Sequence, residues 1–353
     1  MSGLAQSLLH AVQAQDFGHT ADAWRSGQAV DALPSIDLAV VSFASPSAPP
    51  RPPRFANVLF SREHPQGLVA DINAQAGPVQ NIRFDADQRD ASLESPAWLP
   101  GADWSRMDWT PLHGNGPHRF VAPYPASLLK LMLAVGVGLA VDAGKTAWPE
   151  VQPTLEPMIV LSDNDATDAC VALLHRCGML GPLNQRFQQL GLHTLQLKRT
   201  TPSGGWRNAD GAGVGQIHMT AWDTVRLLWL LDADAPPAPW LLAQTALLQP
   251  ATRDHLRAVL SRQQRDEVLS SGSLRAMPGW VPGLPDAPAF AHKTGTTIDY
   301  ASDAGIVRTA GSHYVVAVIT SLGRRYAPHE ACATTWRLPA LGAAVQQLME
   351  QMD

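Results

Sequence analysis

The sequence YPASLLKLML, residues 124–133, opens an apolar run that continues to Val141 and predicts a buried helix. Ser127 would lie in the first turn of this helix, and Lys130 follows three residues later. Because residues i and i+3 share one helix face, the serine hydroxyl and the lysine amine would be neighbours. A buried lysine that has lost its proton can activate a serine as a nucleophile. Alternatively, Ser127 could cap an ordinary helix and Lys130 could extend to solvent, because the short pattern S-x-x-K fits that case as well.

Two further motifs favour the chemical interpretation. The chain has 26 lysines and arginines, of which only Lys130, Lys145, Lys198 and Lys293 are lysines. Residues 162–164 read SDN and follow an apolar run, and residues 293–295 read KTG. Each motif alone is weak, but together and in this order they include two of the four lysines. The set S-x-x-K, S-D-N and K-T-G resembles that of class A β-lactamases and penicillin-binding proteins.

This resemblance implies an α/β fold of the α+β type. An antiparallel sheet flanked by helices would pack beside an all-helical subdomain, with the active site between them. On the helical side, the resemblance makes Ser127 the nucleophile that forms an acyl-enzyme and Lys130 its base or proton relay. Ser162 would pass a proton to the leaving nitrogen, and Asn164 would hold Lys130 and the substrate amide.

On the strand side, Lys293 would present positive charge to Ser162 and to a substrate carboxylate. Thr294 would donate a hydrogen bond to that carboxylate. The backbone N–H of Thr296 would complete an oxyanion hole with the N–H of Ser127. Gly295 would leave room for a substrate lying along the strand.

The sequence departs from the class A pattern in the loop that usually carries a deacylating glutamate. Residues 197–202, LKRTTP, resemble that loop and place Thr201 at the glutamate position and Gly205 at the following asparagine. A threonine hydroxyl is a poor general base near neutral pH, so slow deacylation is expected. Asp210 is an alternative base if the loop takes another route. Arg308 is a candidate for the arginine that class A enzymes often place on the strand after K-T-G.

Three functions therefore stay open. The first is a β-lactamase-like serine hydrolase, the second a DD-peptidase- or esterase-like hydrolase with the same nucleophile, and the third a non-catalytic binding protein that retains the fold. The expected partner is a small-molecule or peptide acyl substrate that carries a carboxylate. The net charge of −5 argues against nucleic acid as a partner.

No cofactor is expected, and no metal site, because the histidines lack metal-ligand spacing. No apolar stretch is long enough to span a membrane, and no signal-like segment is seen. The three cysteines, Cys170, Cys177 and Cys332, suit reduced thiols. A cytoplasmic location is therefore expected, or a periplasmic one if the true start lies upstream.

The remaining pattern predicts the order of elements. Strands are expected at residues 36–43 and 55–60 and again at 289–296, 305–308 and 313–320, and the two groups would meet in one antiparallel sheet. Residues 1–118 would form an N-terminal extension with a helix, a strand and an irregular part, joined to a hydrolase domain of residues 119–353. Within the extension, residues 61–119 are expected to be irregular with short strands, fixed to the main body by Trp98, Trp104 and Trp109.

Overall fold

A computed structural model describes residues 3–30, 32–45, 49–86, 102–107, 110–206, 217–242, 245–326 and 336–352. Within these ranges the chain forms eight α-helices: α1 Gly3–Gln13, α2 Lys130–Asp142, α3 Trp148–Glu156, α4 Asn164–Arg176, α5 Leu180–Gln189, α6 Ala221–Leu231, α7 Pro250–Leu260 and α8 Arg337–Met352. The strands of the same ranges are β1 Ala21–Asp22, β2 Gln28–Ala29, β3 Ile36–Ser42, β4 Arg54–Ser61, β5 His64–Val69, β6 Ile82–Ala86, β7 Thr110–His113, β8 His118–Val121, β9 Gln196–Leu197, β10 Ile217–His218, β11 Phe290–Thr296, β12 Ala301–Arg308 and β13 His313–Thr320.

The main sheet has six antiparallel strands in the order β11-β12-β13-β3-β4-β5. Val40 of β3 lies opposite Val316 of β13, which confirms that N- and C-terminal strands meet in one sheet. The sheet therefore joins residues on both sides of position 118, and a division of the chain there stays a prediction. Strand β11 forms one edge of the sheet, so one side of its backbone is free to meet another element or a ligand.

Both faces of the sheet are covered, and strand alternation decides which residues face which layer. Leu38 and Val40 pack with α1 and α8 in one core, while Ala39 and Val41 face the larger helical core on the other side. Helix α2 crosses that larger core. Ten of its thirteen residues are buried, as expected of a helix that is apolar on all sides. The predicted α+β architecture with a helical subdomain is thus confirmed.

Residues 61–119 contain more strand than the sequence predicted. Strand β5 extends the main sheet, and β6 pairs with β7 and, in parallel, with β8 in a separate three-stranded sheet. Trp104 is buried, as expected, whereas Trp98 and Trp109 lie outside the described residues. No helix in the described part of the chain has both the length and the apolar character that crossing a bilayer requires.

Candidate active site

Ser127 lies in a short 3₁₀ turn, Ala126–Leu129, that leads directly into α2. The backbone N–H of Leu128 donates to Pro125 O at 3.1 Å and closes this turn. The preceding residue, Ala126, has φ of 51°, in the left-handed region that alanine rarely adopts. Such a conformation costs about 1–3 kcal/mol and persists only where the surroundings hold it.

The sheet supplies these surroundings through β11 and β12. The Ser302 hydroxyl donates to Pro125 O at 2.6 Å and also lies 3.3 Å from Gly295 O, which belongs to the residue paired with Ser302 across the sheet. A Cβ atom on Gly295 would lie 2.6 Å from Pro125 O, Ser127 N and Leu128 N. The sequence explained Gly295 by substrate clearance. The structure gives a further reason, because glycine lets β11 approach the serine turn.

Lys130 begins α2 and is fully buried. Its ammonium donates to Ser162 O at 2.7 Å, Ser162 Oγ at 3.2 Å, Asp163 O at 3.3 Å and Asn164 Oδ1 at 3.0 Å. The structure therefore places the S-D-N segment against the lysine of S-x-x-K. A lysine charge buried this deeply needs such acceptors to offset its lost hydration.

The S-D-N segment lies at a break between two helices. A π-helical turn, Pro157–Leu161, follows α3, and Ser162 then takes φ of 58°. The Asp163 carboxylate accepts from Ala166 N at 2.7 Å and caps α4, a structural role. This reversal of direction turns both Ser162 and Asn164 toward Lys130.

Lys293 is the second buried lysine of the site and lies on β11. Its ammonium donates to Thr294 O at 2.7 Å. Burial, followed by the positive charge of Lys130, lowers the pKa of Lys293 well below the usual lysine value, while Asp303 and Glu267 act in the opposite direction. The three motifs thus converge, with the two lysines close enough to affect one another.

Arg324, which the sequence did not indicate as a site residue, lies beside the end of β11. The Thr296 hydroxyl donates to Glu267 Oε1 at 3.0 Å and accepts from the exposed Arg324 guanidinium at 3.1 Å. Arg324 lies in a 3₁₀ turn after β13, and its backbone N–H donates to Thr297 O at 2.8 Å. No motif signals Arg324, because the link depends on the pairing of distant segments.

Arg308, the arginine proposed from sequence, lies at the wrong end of the sheet. Thr296 pairs with Ala301, whereas Arg308 lies seven residues further along β12, or ~23 Å at 3.3 Å per residue. Its guanidinium pairs with Asp232 at 3.1 Å and Asp234 at 2.6 Å. The register of β12 against β11 determines the position of Arg308, and this register cannot be deduced from the sequence.

A buried charge cluster supports β11 on the face opposite Lys293. His292 donates from Nδ1 to Asp303 at 2.7 Å and from Nε2 to Asp266 at 3.1 Å. Burial alone would lower the pKa of His292, but the two carboxylates outweigh it and raise that pKa to about 9. Asp303 also accepts from Leu269 N at 3.0 Å, so the cluster ties the loop before β11 to the sheet.

The loop at residues 201–206 closes on itself and packs on α4. Thr201 N donates to Gly205 O, Gly205 N donates to Thr201 Oγ1, and the hydroxyls of Thr201 and Ser203 also bond, each at 2.8 Å. Trp206 is buried, and its ring centroid lies 5.7 Å from the Lys130 ammonium. Asp210 and Cys332 lie outside the described residues. Among the residues that the structure describes, no cluster of His, Cys, Asp or Glu is arranged to hold a metal ion.

The family model described as Beta-lactamase enzyme family matches residues 136–338, more than half of the 353 residues. The chain belongs to the beta-lactamase enzyme family. The match includes Ser162 and Lys293 and begins after Lys130. Family and fold together support a class A β-lactamase-like serine hydrolase, in agreement with the resemblance drawn from the three motifs. None of the curated proteins searched matches the sequence.

Solved structures support the same fold. The chain is similar to a beta-lactamase from Sphaerobacter thermophilus, with a TM-score of 0.53, 15% identity and coverage of 99% of this chain and 98% of that one. It is also similar to the extended-spectrum beta-lactamase TLA-3, with a TM-score of 0.51, 14% identity and coverage of 99% of each chain. Identities this low show the fold alone.

Proposed function

We propose that this member of the beta-lactamase enzyme family is a serine hydrolase that forms an acyl-enzyme on Ser127 with β-lactams or related amides and esters. The observation that carries the proposal is the buried Lys130 ammonium, bonded to Ser162 and Asn164 at the start of the helix that follows Ser127. Lys293 and the edge strand β11, on which it lies, form the other side of the proposed active site. Hydrogen bonds within the protein hold Lys130 against the S-D-N segment, which is the preorganisation that such catalysis requires.

In the proposed acylation, the Ser127 hydroxyl oxygen attacks the substrate carbonyl carbon and its proton passes to Lys130 as the neutral amine. The carbonyl oxygen takes up negative charge between the backbone N–H groups of Ser127 and Thr296. Losing one such donor typically costs on the order of 10²–10³ in rate. The carbon–nitrogen bond then breaks, and the leaving nitrogen takes a proton from Ser162. Lys293 replaces that proton, for which a lowered pKa suits it.

On the substrate side, we assign a carboxylate to Lys293 and Thr294, with the nearby Arg324 guanidinium as additional positive charge. Asn164 would orient the substrate amide while it holds Lys130. Hydrolysis of the acyl-enzyme is proposed to be slow. The hydroxyl of Thr201, in the position of the usual glutamate, is a weak base and bonds within its own loop.

The test is the intact mass of the protein after incubation with penicillin G, read at seconds and at one hour. We expect an adduct that persists, mapped by peptide mass to Ser127. Ser127→Ala should form no adduct, and Lys130→Arg should form almost none, since arginine does not act as a neutral base. Lys145→Arg, an exchange at an exposed lysine, is the matched control and should acylate normally. No adduct in the wild type would favour another acyl substrate or a binding function.

A further inference from the structure

Trp206 lies against the proposed catalytic lysine, although none of the three motifs includes it. Its side chain is 5% exposed, and its ring centroid is 5.7 Å from Lys130 Nζ. The indole N–H donates to Asp168 Oδ1 at 2.6 Å. An ammonium within about 6 Å of an indole ring is attracted by the ring face, so this contact stabilises the charged lysine.

Helix α4 determines where the ring lies. Asn164 and Asp168 are four residues apart and share one face of α4, so the helix holds Lys130 through Asn164 and the indole through Asp168. The loop packs directly against this helix. Gly204 has φ of 103°, and a Cβ atom there would lie 2.5 Å from Asp168 O. The position of Trp206 is thus fixed by the same element that positions the S-D-N motif.

The indole ring of Trp206 is bulky and carries no group that can act as a base. Indole has one N–H donor and no acceptor, and here Asp168 takes that donor. Trp206 can neither accept a proton from a water molecule nor orient one through a free N–H group. It fills the space beside Lys130 on the side of the 201–206 loop, which resembles the loop that carries the deacylating glutamate in class A enzymes.

We propose that Trp206 is a positioning residue that keeps hydrolytic water away from Lys130 and so lengthens the lifetime of the acyl-enzyme on Ser127. The inference rests on the proposed acyl-enzyme. After acylation, the proton that Lys130 took from Ser127 would pass through Ser162 to Lys293, which gave up its own proton in that step, and Lys130 would again be neutral. With the ring removed, a water molecule beside Lys130 would attack the ester carbonyl carbon and give its proton to the neutral amine. The bond from that carbon to Ser127 Oγ would break, and the serine oxygen would recover the proton from Lys130.

The experiment measures acylation and deacylation rate constants separately, by intact mass after a short pulse of penicillin G. Trp206→Ala should deacylate at least tenfold faster than the wild type, with acylation changed by less than about threefold. Trp206→Phe keeps a ring and should resemble the wild type. Trp240→Phe is the matched control, because it removes an indole N–H that donates to a backbone carbonyl, Leu190 O, at 3.1 Å. Thermal unfolding establishes that each variant is folded, and Trp206→Leu replaces the alanine variant if that one does not fold.

Each outcome decides the inference. A folded variant without the ring whose adduct lasts as long as that of the wild type overturns it and leaves the proposed function intact. Equal acceleration in Trp206→Phe also overturns it, since exclusion by a ring would not then be the cause. Absence of an adduct in the wild type refutes the proposed function itself, and the inference with it. Loss of structure alone would slow acylation and deacylation together and would not accelerate deacylation selectively.

Discussion

Gly295→Ala should misplace the nucleophile by a distance that the structure lets us calculate. The added Cβ atom would lie 2.6 Å from three backbone atoms of the serine turn, Pro125 O, Ser127 N and Leu128 N. An ordinary contact needs about 3.4 Å, so the turn and the strand must separate by ~0.8 Å. A shift of about 1 Å at a reacting group can lower a rate on the order of 10²-fold. Overpacking should also cost about 1–3 kcal/mol in the free energy of unfolding.

The assay for this prediction is the rate of adduct formation with penicillin G, measured by intact mass, beside urea unfolding of the same protein. Gly311→Ala is the control: Gly311 lies at the turn between β12 and β13, where an added Cβ atom would meet no atom within 4 Å. It should acylate at the wild-type rate. If folded Gly295→Ala also acylates at that rate, the packing of β11 on the serine turn does not position the nucleophile.

Three further outcomes follow from the charges and hydrogen bonds of the site. As the pH rises, acylation should decline at a pH below the ordinary lysine range, because the pKa of Lys293 is lowered. Lys293→Arg keeps the positive charge but does not give up a proton, so it should acylate more slowly than the wild type at every pH and should lack this decline; a pH–rate profile equal to that of the wild type would contradict the role of Lys293. His292→Gln should lose about 3 kcal/mol of stability at pH 6, since the pKa of His292 rises from 6.5 to about 9 in the folded state. This loss should shrink between pH 6.5 and 9 as the imidazolium of the wild type deprotonates. An equal loss at pH 6 and pH 9 in urea unfolding would refute the raised pKa of His292. Ser302→Ala removes the hydroxyl that bonds Pro125 O and should slow acylation about tenfold in a folded protein; an unchanged rate would show that the turn holds without it.

The sequence predicted the parts of this molecule that depend on local pattern. The apolar run after Ser127 forms α2, and the C-terminal strands form where their β-branched content indicated. The K-T-G segment lies on β11, close to the strand that the sequence predicted at residues 289–296. The meeting of N- and C-terminal strands was also predictable, since the strands and helices of one domain pack as layers around a shared core.

The sequence could not predict the features that depend on register and on loop routes. Arg308 seemed suitable only while its position along β12 was unknown, and Arg324 reaches β11 through a turn that follows another strand. Trp206 carries no signal either, because its contact with Lys130 depends on how Gly204 packs on α4. Such contacts join segments that are far apart in sequence, and single-residue patterns do not contain them.

In the proposed acylation, the two buried lysines have different proton-transfer roles. Lys130 shares its protons among four oxygens of residues 162–164, whereas Lys293 donates to the carbonyl of its own neighbour, Thr294. Burial, followed by the positive charge of Lys130, lowers the pKa of Lys293. A lysine with a lowered pKa is the stronger acid of its kind. In the proposed mechanism, Lys293 is therefore the donor toward the leaving nitrogen, and Lys130, at the start of the helix that follows Ser127, removes the serine proton.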